Sequence, residues 1–426
     1  MTIEEKTNSA GWQQRYNIVG LCVLAVFICY IDRVNISVAA IAMQEELGWS
    51  NETKGRVLSA FFFGYMLFMV PSGWISNRLG GKVVLGIAVV WWSVFTMLTP
   101  MAALLGLPML LAARILMGMG EAATFPAAYT LYGRWVPKTE RSRAVALLIG
   151  GIPLGTLFAL TTTGWLINAY GWPIVFYLFG ASGLLWAVIW YFLAYDNPAA
   201  DPRVSPAELA LLANNEQALD RTENIPWKKL LSAAPVWALI INHFCSNWGF
   251  YVLLAWLPSY FRTELGLSIA NAGIYSALPW LSMFVCGNVS GVIADRLITR
   301  GVNATLIRKT MQCCGLVGSS IFLLLAIDVD NAIHAMALMC GALGFLALTW
   351  SGFVPNHLDI APRYADILMG ITNTAGTIPG IIGVYVTGWL VDMSGTFSAP
   401  FLIAAGINLF GAVVWLGFGT ADRVVD

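Results

Sequence analysis

The sequence predicts an all-α membrane protein with 12 transmembrane helices, arranged as two pseudo-symmetric six-helix bundles. Of its 426 residues, 58% are hydrophobic and only 11% are charged, unlike a soluble globular protein. Apolar stretches of about 20 residues recur along the whole chain, and each is long enough to cross a hydrocarbon core of roughly 30 Å as a helix. A short pattern that follows the second stretch returns after the eighth, which indicates a duplication.

The predicted membrane spans, numbered 1 to 12, are these apolar stretches. They cover residues 16–41, 56–76, 82–104, 108–131, 143–168, 173–195, 234–261, 271–294, 309–327, 332–355, 365–391 and 397–419. The residues before span 1 are polar and show neither a secretory leader nor an Arg/Ser-rich transit pattern. We therefore expect span 1 itself to direct membrane insertion.

The composition changes between spans 6 and 7. The segment DNPAADPRVSPAELALLANNEQALDRTENIPWKK contains four prolines and many charges of both signs. We interpret it as a cytoplasmic linker with a short surface helix from Ser205. It divides the chain into an N-terminal bundle (1–195), the linker (196–232) and a C-terminal bundle (233–426).

The positive charges are unevenly distributed between the two sides of the predicted membrane. If the N-terminus is cytoplasmic, three basic residues are external: Lys54, Arg56 and Arg262. Arg33 and Arg114 lie inside spans, which leaves 18 of the 23 Lys and Arg residues on the cytoplasmic side. Because basic loops are retained in the cytoplasm, we expect both termini there. With no transit pattern, this favours a multi-pass protein of a bacterial inner membrane.

Two similar segments, GWISNRL and GVIADRL, follow spans 2 and 8, each with a basic residue shortly after it. They resemble the cytoplasmic loop signature of major facilitator transporters, whose two six-helix halves enclose a substrate site near the membrane midplane. The resemblance implies an inner gate formed by Gly73, Asn77, Arg78, Asp295 and Arg296. Asn77 stands where the family has an aspartate, so we expect a weaker lock on this side.

Three longer segments make the resemblance more specific. They are residues 113–143, 226–261 and 356–380, which contain ARILMGMGEAATFPAAY, NHFCSNWGFYVLLAWLPSYF and GITNTAGTIPG. All three closely resemble the anion:cation symporter family, which includes sialin, vesicular glutamate transporters, plant phosphate transporters and bacterial hexonate transporters. The similarity covers nearly the whole chain and implies transport of a small anion.

Four ionisable residues lie well inside predicted spans: Asp32 and Arg33 in span 1, and Arg114 and Glu121 in span 4. A charge near the bilayer centre costs at least about 2.5 to 3.5 kcal/mol on insertion scales, so such residues usually face a cavity or a partner. The alternative is a structural network of ion pairs. We favour a functional site, because apolar replacements of buried ion pairs are often equally stable.

The chemistry of these four residues suggests their roles. Arg33 and Arg114 come out at similar depth in the outer half of the membrane, and a guanidinium group binds carboxylate or phosphate in bidentate fashion. Asp32 and Glu121 can gain and lose a proton. Residues at these motif positions bind substrate and protons in the symporter family, so the resemblance implies that the arginines bind substrate and the carboxylates couple transport to protons.

Three further candidates rest on weaker signals. Tyr65 in span 2 resembles a substrate-contacting tyrosine of the family, although an aromatic residue in a span is usually a packing residue. Asn373, in the Gly-rich span 11, can bond a ligand or another helix. His243 in span 7 can titrate near neutrality, and we include it among the proton-coupling residues, with helix packing as the alternative.

Differences from other members of the family reduce the range of expected substrates. Vesicular glutamate transporters carry an arginine and a histidine where this chain has Ser246 and Leu58. Bacterial sugar-acid transporters carry a glutamine where this chain has Ile152 and Pro153. The resemblance therefore favours neither glutamate nor a strongly hydroxylated hexonate.

The sequence thus predicts a secondary active transporter that moves an organic carboxylate together with protons by alternating access. Alternatives are a sodium- or proton-coupled phosphate transporter and an anion uniporter or channel. A sensor or an enzyme is disfavoured, because the chain has no soluble domain, nucleotide-binding loop or metal-ligand spacing among its seven cysteines. We expect no cofactor, no metal and no nucleic acid, and a monomer in the lipid bilayer.

Overall fold

The computed structural model describes residues 12–137, 139–212 and 226–424, and these ranges are almost entirely helical. The α-helices are α1 (Gln14–Leu47), α2 (Asn51–Leu79), α3 (Gly81–Leu105), α4 (Leu107–Glu121), α5 (Thr124–Trp135), α6 (Arg141–Tyr170), α7 (Pro173–Leu193), α8 (Pro206–Leu212), α9 (Trp227–Ser232), α10 (Ala234–Thr263), α11 (Ile269–Thr299), α12 (Ala304–Leu325), α13 (Ala332–Leu346), α14 (Thr349–Ile360), α15 (Ala365–Ser394) and α16 (Ser398–Phe418).

All 12 predicted spans are helical, so the predicted all-α fold is confirmed. Within the described ranges, ten segments are long and apolar enough to cross a membrane, and one of them, Ala332–Ile360, has a break in the helix. The remaining two are span 4, which is divided into α4 and α5, and span 9, which is α12. The first turns of α12 carry Arg308 and Lys309, which lower its hydropathy.

The prediction of one continuous helix over 108–131 was wrong. The helix breaks at Ala122 and Ala123, directly after Glu121. Pro126 explains the break, because it has no N–H to donate to the carbonyl group of Ala122 and its ring would clash with that carbonyl. The hydroxyl group of Ser72 donates to the freed oxygen instead, at 3.2 Å. Span 10 is also divided, into α13 and α14.

The helices form two halves, α1–α7 and α10–α16, that meet mainly along two helix pairs. These pairs are α2 with α15 and α6 with α11, and α1 also contacts α10. We call the end that holds the turn at 48–50 the outer end, and the end that holds the segment between α7 and α10 the inner end. Both names follow the predicted orientation.

The outer end is closed by polar contacts between the halves. The carboxylate of Asp392 accepts hydrogen bonds from the backbone N–H groups of Asn51 and Glu52, at 2.9 and 2.6 Å. We call these three residues the outer latch. A salt bridge of 2.9 Å between Arg262 and Glu45 lies beside it. Asp392 therefore caps the start of α2 from the opposite half.

The predicted gate residues of the inner end lie apart from such contacts. Asn77 accepts a hydrogen bond of 3.5 Å from Thr130 of its own half, and the guanidinium group of Arg78 lies 4.2 Å from the ring centre of Trp74. Within the described ranges the side chains of Asp295 and Arg296 form no ion pair. These four gate side chains therefore provide no polar contact between the halves within the described ranges.

The linker is partly described and is attached to the N-terminal half. The predicted helix after Ser205 is α8, and the hydroxyl group of Ser205 accepts from the N–H of Glu208 at 3.2 Å. Glu208 in turn accepts from the backbone N–H groups of Gln14 and Arg15 at the start of α1. Residues 213–225 of the predicted linker lie outside the described ranges, and the domain boundaries stay a prediction.

Candidate substrate-binding site

The site is built where α2 and α4 approach most closely. A Cβ atom at Gly118 of α4 would collide with the carbonyl oxygen of Phe61, and one at Gly64 of α2 would collide with that of Ile115. Only glycine permits this separation. The close contact places Arg114, one turn before Gly118, beside Phe61 of α2.

Arg33 lies at the centre of the site and is paired with Glu121. The Nε atom of Arg33 donates to Oε2 of Glu121 at 2.9 Å, its Nη2 atom forms the salt bridge to the same oxygen at 2.9 Å, and Arg33 is only 6% exposed. The rings of Tyr30, Phe61 and Tyr65 surround the guanidinium carbon at 4.6, 4.9 and 4.8 Å. Aromatic faces attract a cation, so this cage holds Arg33 in one position.

Arg114 has no such partner. It is 1% exposed, its Nη1 atom lies 3.0 Å from the sulfur of Met117, and its guanidinium carbon lies 5.4 Å from the ring centre of Phe61. Its Nε–H is unpaired, and no carboxylate within the described ranges forms an ion pair with it. A buried cation without an anion costs several kcal/mol, which an anionic ligand would offset.

Both arginines line one small cavity between the two halves. The wall also includes Ser37 and Leu58 of the N-terminal half and Ala255 of the C-terminal half. Its volume is about 20 Å³, room for roughly one water molecule. The cavity must widen before an organic anion can enter.

Asp32 is buried in the same half but does not line this cavity. Neither of its carboxylate oxygens has a hydrogen-bond partner within the described ranges, and the same is true of Asn35, Trp92 Nε1 and Ser93 Oγ. A buried carboxyl group without partners costs least when it carries a proton. All four ionisable residues predicted from spans 1 and 4 are thus buried, with exposures between 0% and 6%.

The structure separates His243 and Asn373 from these charges. The ring of His243 packs on Phe353 at 4.8 Å and lies 6.4 Å from the ring of His357, both in the C-terminal half. The amide group of Asn373 donates to the sulfur of Met69 at 3.1 Å, across the contact between α15 and α2. Tyr65, by contrast, lies in the site on Arg33.

Several contacts of these charges were not predicted from the sequence. Cys29, for which the sequence predicted no functional role, donates its S–H to Glu121 at 3.2 Å. Tyr30 precedes Arg33 by three residues, and Cys29 by four, so helical spacing already places both beside it. Phe61 lies in the same FFFGY segment as Tyr65, but its position between two arginines depends on how α2 packs on α4.

The fold and the site together define a membrane transport protein of two helical halves with a cavity between them that is lined by two arginines. The chain matches the Major Facilitator Superfamily model over residues 22–384. It is 42% identical over 421 residues to the chloroplastic ascorbate transporter of Arabidopsis thaliana, covering 98% of this chain and 71% of the relative.

Two further relatives are similar to this chain in sequence, and one solved structure shares its fold. The sodium-dependent phosphate transport protein 1 of Arabidopsis thaliana chloroplasts is 41% identical over 97% of this chain and 81% of its own length. Human sialin is 34% identical over 96% of this chain and 90% of its own length. A bacterial homologue of the lysosomal transporter Spinster shares the fold, with a TM-score of 0.78 and 16% identity over 95% of this chain and 97% of that one.

The chain therefore belongs to the Major Facilitator Superfamily and, through these relatives, to its anion:cation symporter family. It is a multi-pass membrane protein and a secondary transporter, not an enzyme. The resemblance found in the sequence is confirmed.

Proposed function

We propose that the protein is a proton-coupled symporter of an organic carboxylate, acting by alternating access as a monomer in a bacterial inner membrane with both termini in the cytoplasm. Arg114 carries the proposal. It is a buried cation without a carboxylate partner among the described residues, and it shares a cavity with Arg33. A cavity lined by two guanidinium groups, one of them paired with Glu121, attracts an anion.

The surroundings of the arginines favour an organic anion. Three aromatic rings enclose Arg33, and Leu58, Phe62 and Leu254 add apolar walls to the cavity. Such walls suit the carbon skeleton of a carboxylate better than a strongly hydrated inorganic ion. Inorganic phosphate is the second candidate, because the same arginines suit its oxygens and one relative is named as a phosphate transporter.

Proton coupling follows from the pairing of Arg33. While Glu121 is ionised, it accepts the hydrogen bond of Arg33 Nε and forms a salt bridge with Nη2. When Glu121 takes up a proton, the salt bridge weakens and the guanidinium group of Arg33 becomes available to the substrate. Proton and substrate then favour each other's binding by equal factors, as thermodynamic linkage requires. Asp32, buried without a partner, is a second proton carrier.

The difference in polar contacts between the outer and inner ends supports alternating access. The outer latch is closed and the inner gate residues are not paired across the halves. Rocking of the halves about the arginine cavity exposes it first to one side and then to the other.

Binding of candidate anions tests the proposal most directly. Thermal unfolding of the purified protein is followed with sugar acids, sialic acid, ascorbate, dicarboxylates, aromatic acids and phosphate. We expect one class of these anions to stabilise the wild type against unfolding. Arg114→Gln should weaken the binding of that anion by about a hundredfold, because truncation at a buried charged contact costs about 2 to 5 kcal/mol. Arg300→Gln, at the exposed inner end, is the matched control.

An unchanged dissociation constant in Arg114→Gln would contradict the proposed site. Proton-driven accumulation distinguishes the symporter from an anion uniporter or channel, which cannot concentrate its substrate against the total electrochemical gradient. Phosphate as the only stabilising anion would favour the second candidate.

A further inference from the structure

Lys54, in the second turn of α2, is a buried cation outside the cavity already described. It is 1% exposed, and its ammonium group has one hydrogen bond, 3.1 Å to Oε1 of Gln44. It also lies 5.2 Å from the ring centre of Trp256. Within the described ranges no carboxylate forms an ion pair with it, and the neighbouring Glu45 is paired with Arg262. Its burial is therefore not compensated by an anion of the protein.

Lys54 lies directly outward of the arginine cavity. Leu58 and Phe61 follow it by one and two helical turns on α2, and both line that cavity. From the other half, Leu254 and Ala255 of α10 line the cavity as well, immediately before Trp256. The Cα atom of Lys54 thus lies between the outer end and the cavity, about 10 Å from that of Phe61 along α2.

Opening of the outer end would keep one contact of Lys54 and break the other. Gln44 belongs to the same half and moves with Lys54, whereas Trp256 belongs to the opposite half and moves away. Ser259, one turn further out on α10, adds a buried hydroxyl group without a hydrogen-bond partner within the described ranges. Separation of the halves therefore frees two donors of the ammonium group and exposes this hydroxyl group to water.

We propose that Lys54 and Gln44 form an outer anion-binding site, at which the carboxylate of the substrate docks before it reaches Arg33 and Arg114. The inference rests on the proposed function. In the outward-open protein the ammonium group attracts the anion, and after closure Trp256 takes the place of the anion over Lys54. The substrate thus passes from one cation to a pair of cations, without crossing an apolar gap unpaired.

Transport kinetics measured separately from the two sides test this site. Uptake of radiolabelled ascorbate, sialic acid and inorganic phosphate is measured in intact cells and in inside-out vesicles. Lys54→Gln keeps a hydrogen-bonding group but loses the charge, and Lys54→Arg keeps the charge. Arg56→Gln is the matched control, because Arg56 is a half-exposed external cation two residues further along α2 that pairs with Glu52.

We expect Lys54→Gln to raise KM for entry from outside about tenfold, since a hydrogen bond to a charged group contributes about 1.5 kcal/mol. KM from the inner side and kcat stay within about twofold, and the dependence of the outer KM on salt becomes weaker. Lys54→Arg restores most of the outer affinity, and Arg56→Gln leaves it unchanged.

Two results would overturn the outer site while leaving the proposed function intact. One is an outer KM of Lys54→Gln equal to that of the wild type. The other is an equal change on both sides that Lys54→Arg does not restore, which indicates a structural role in the closed gate. If the wild type carries none of the three anions from either side, the outer site and the proposed function fail together.

Discussion

At the scale of single residues, the unequal pairing of two buried arginines is the main feature of the site. Arg33 has Glu121 and three aromatic rings, whereas the contacts of Arg114 among the described residues are a thioether and the ring of Phe61. The pair therefore combines a cation that is paired with a carboxylate and a cation that has no ion-pair partner within these residues. In the proposed mechanism, proton uptake and anion binding act on the same group of side chains.

Phe61 lies close to both guanidinium groups, at 4.9 and 5.4 Å, and its ring reduces the cost of placing two cations side by side. We predict that Phe61→Leu weakens substrate binding about fivefold, because a desolvated cation–π contact contributes about 1 kcal/mol. Phe63→Leu, on the exposed face of the same helix, is the control. The measurement is the dissociation constant of the anion; equal values for the two variants would contradict this role.

At the scale of helices, the sequence predicted the spans better than it predicted their continuity and contacts. Hydropathy located all 12 spans, because a helix in lipid needs an apolar exterior. The predicted ends were too short, since helices such as α1 (Gln14–Leu47) continue beyond the apolar stretch. The break after Glu121 was missed because hydropathy does not register the backbone effect of Pro126.

For the candidate site, the sequence predicted the charged residues but not their contacts. Arg33, Arg114, Glu121 and Asp32 were predicted because a charge within a span stands out against its apolar surroundings. The aromatic cage and the pairing of Arg33 with Glu121 were not, since they depend on the rotation and depth of α1, α2 and α4 against one another. The helix-helix contact at Gly118 determines that arrangement, and a single sequence does not specify it.

Gly118 provides a test at this scale. We predict that Gly118→Val lowers the free energy of unfolding by about 1 to 3 kcal/mol, because the added methyl groups collide with the backbone of α2 at Phe61. Anion binding falls as well, since Arg114 is displaced. Gly133→Ala in α5, where an added Cβ meets nothing within 4 Å, is the control and leaves both unchanged. Thermal unfolding and anion binding that resemble the wild type in Gly118→Val would contradict this account.

At the scale of the whole molecule, the two ends of the interface between the halves differ. The outer end is closed by the latch of Asn51, Glu52 and Asp392, whereas the predicted gate side chains at the inner end form no hydrogen bond or ion pair across the halves within the described ranges. We therefore expect the polar contacts at the outer end to influence the equilibrium between the two orientations.

We predict that Asp392→Asn shifts the protein towards the outward-open state about fivefold, because loss of a charged cap costs α2 about 1 kcal/mol in the closed state. The measurement uses a variant that lacks the native cysteines and carries a new cysteine at Ser37, which lines the cavity. A larger outward-open population gives faster labelling of this cysteine by an impermeant maleimide from outside. Asp330→Asn, exposed in the loop before α13, is the control. An unchanged labelling rate in Asp392→Asn would count against the latch.

The central claim is that Glu121 couples protons to the anion through Arg33. The most direct measurement is uptake into proteoliposomes with an inward proton gradient, comparing the wild type with Glu121→Gln. We predict that the wild type accumulates the anion against its gradient, whereas Glu121→Gln, permanently neutral at that position, exchanges the anion but does not accumulate it. Proton-driven accumulation by Glu121→Gln at the wild-type level would contradict the claim and would transfer the coupling to Asp32 or to another ion.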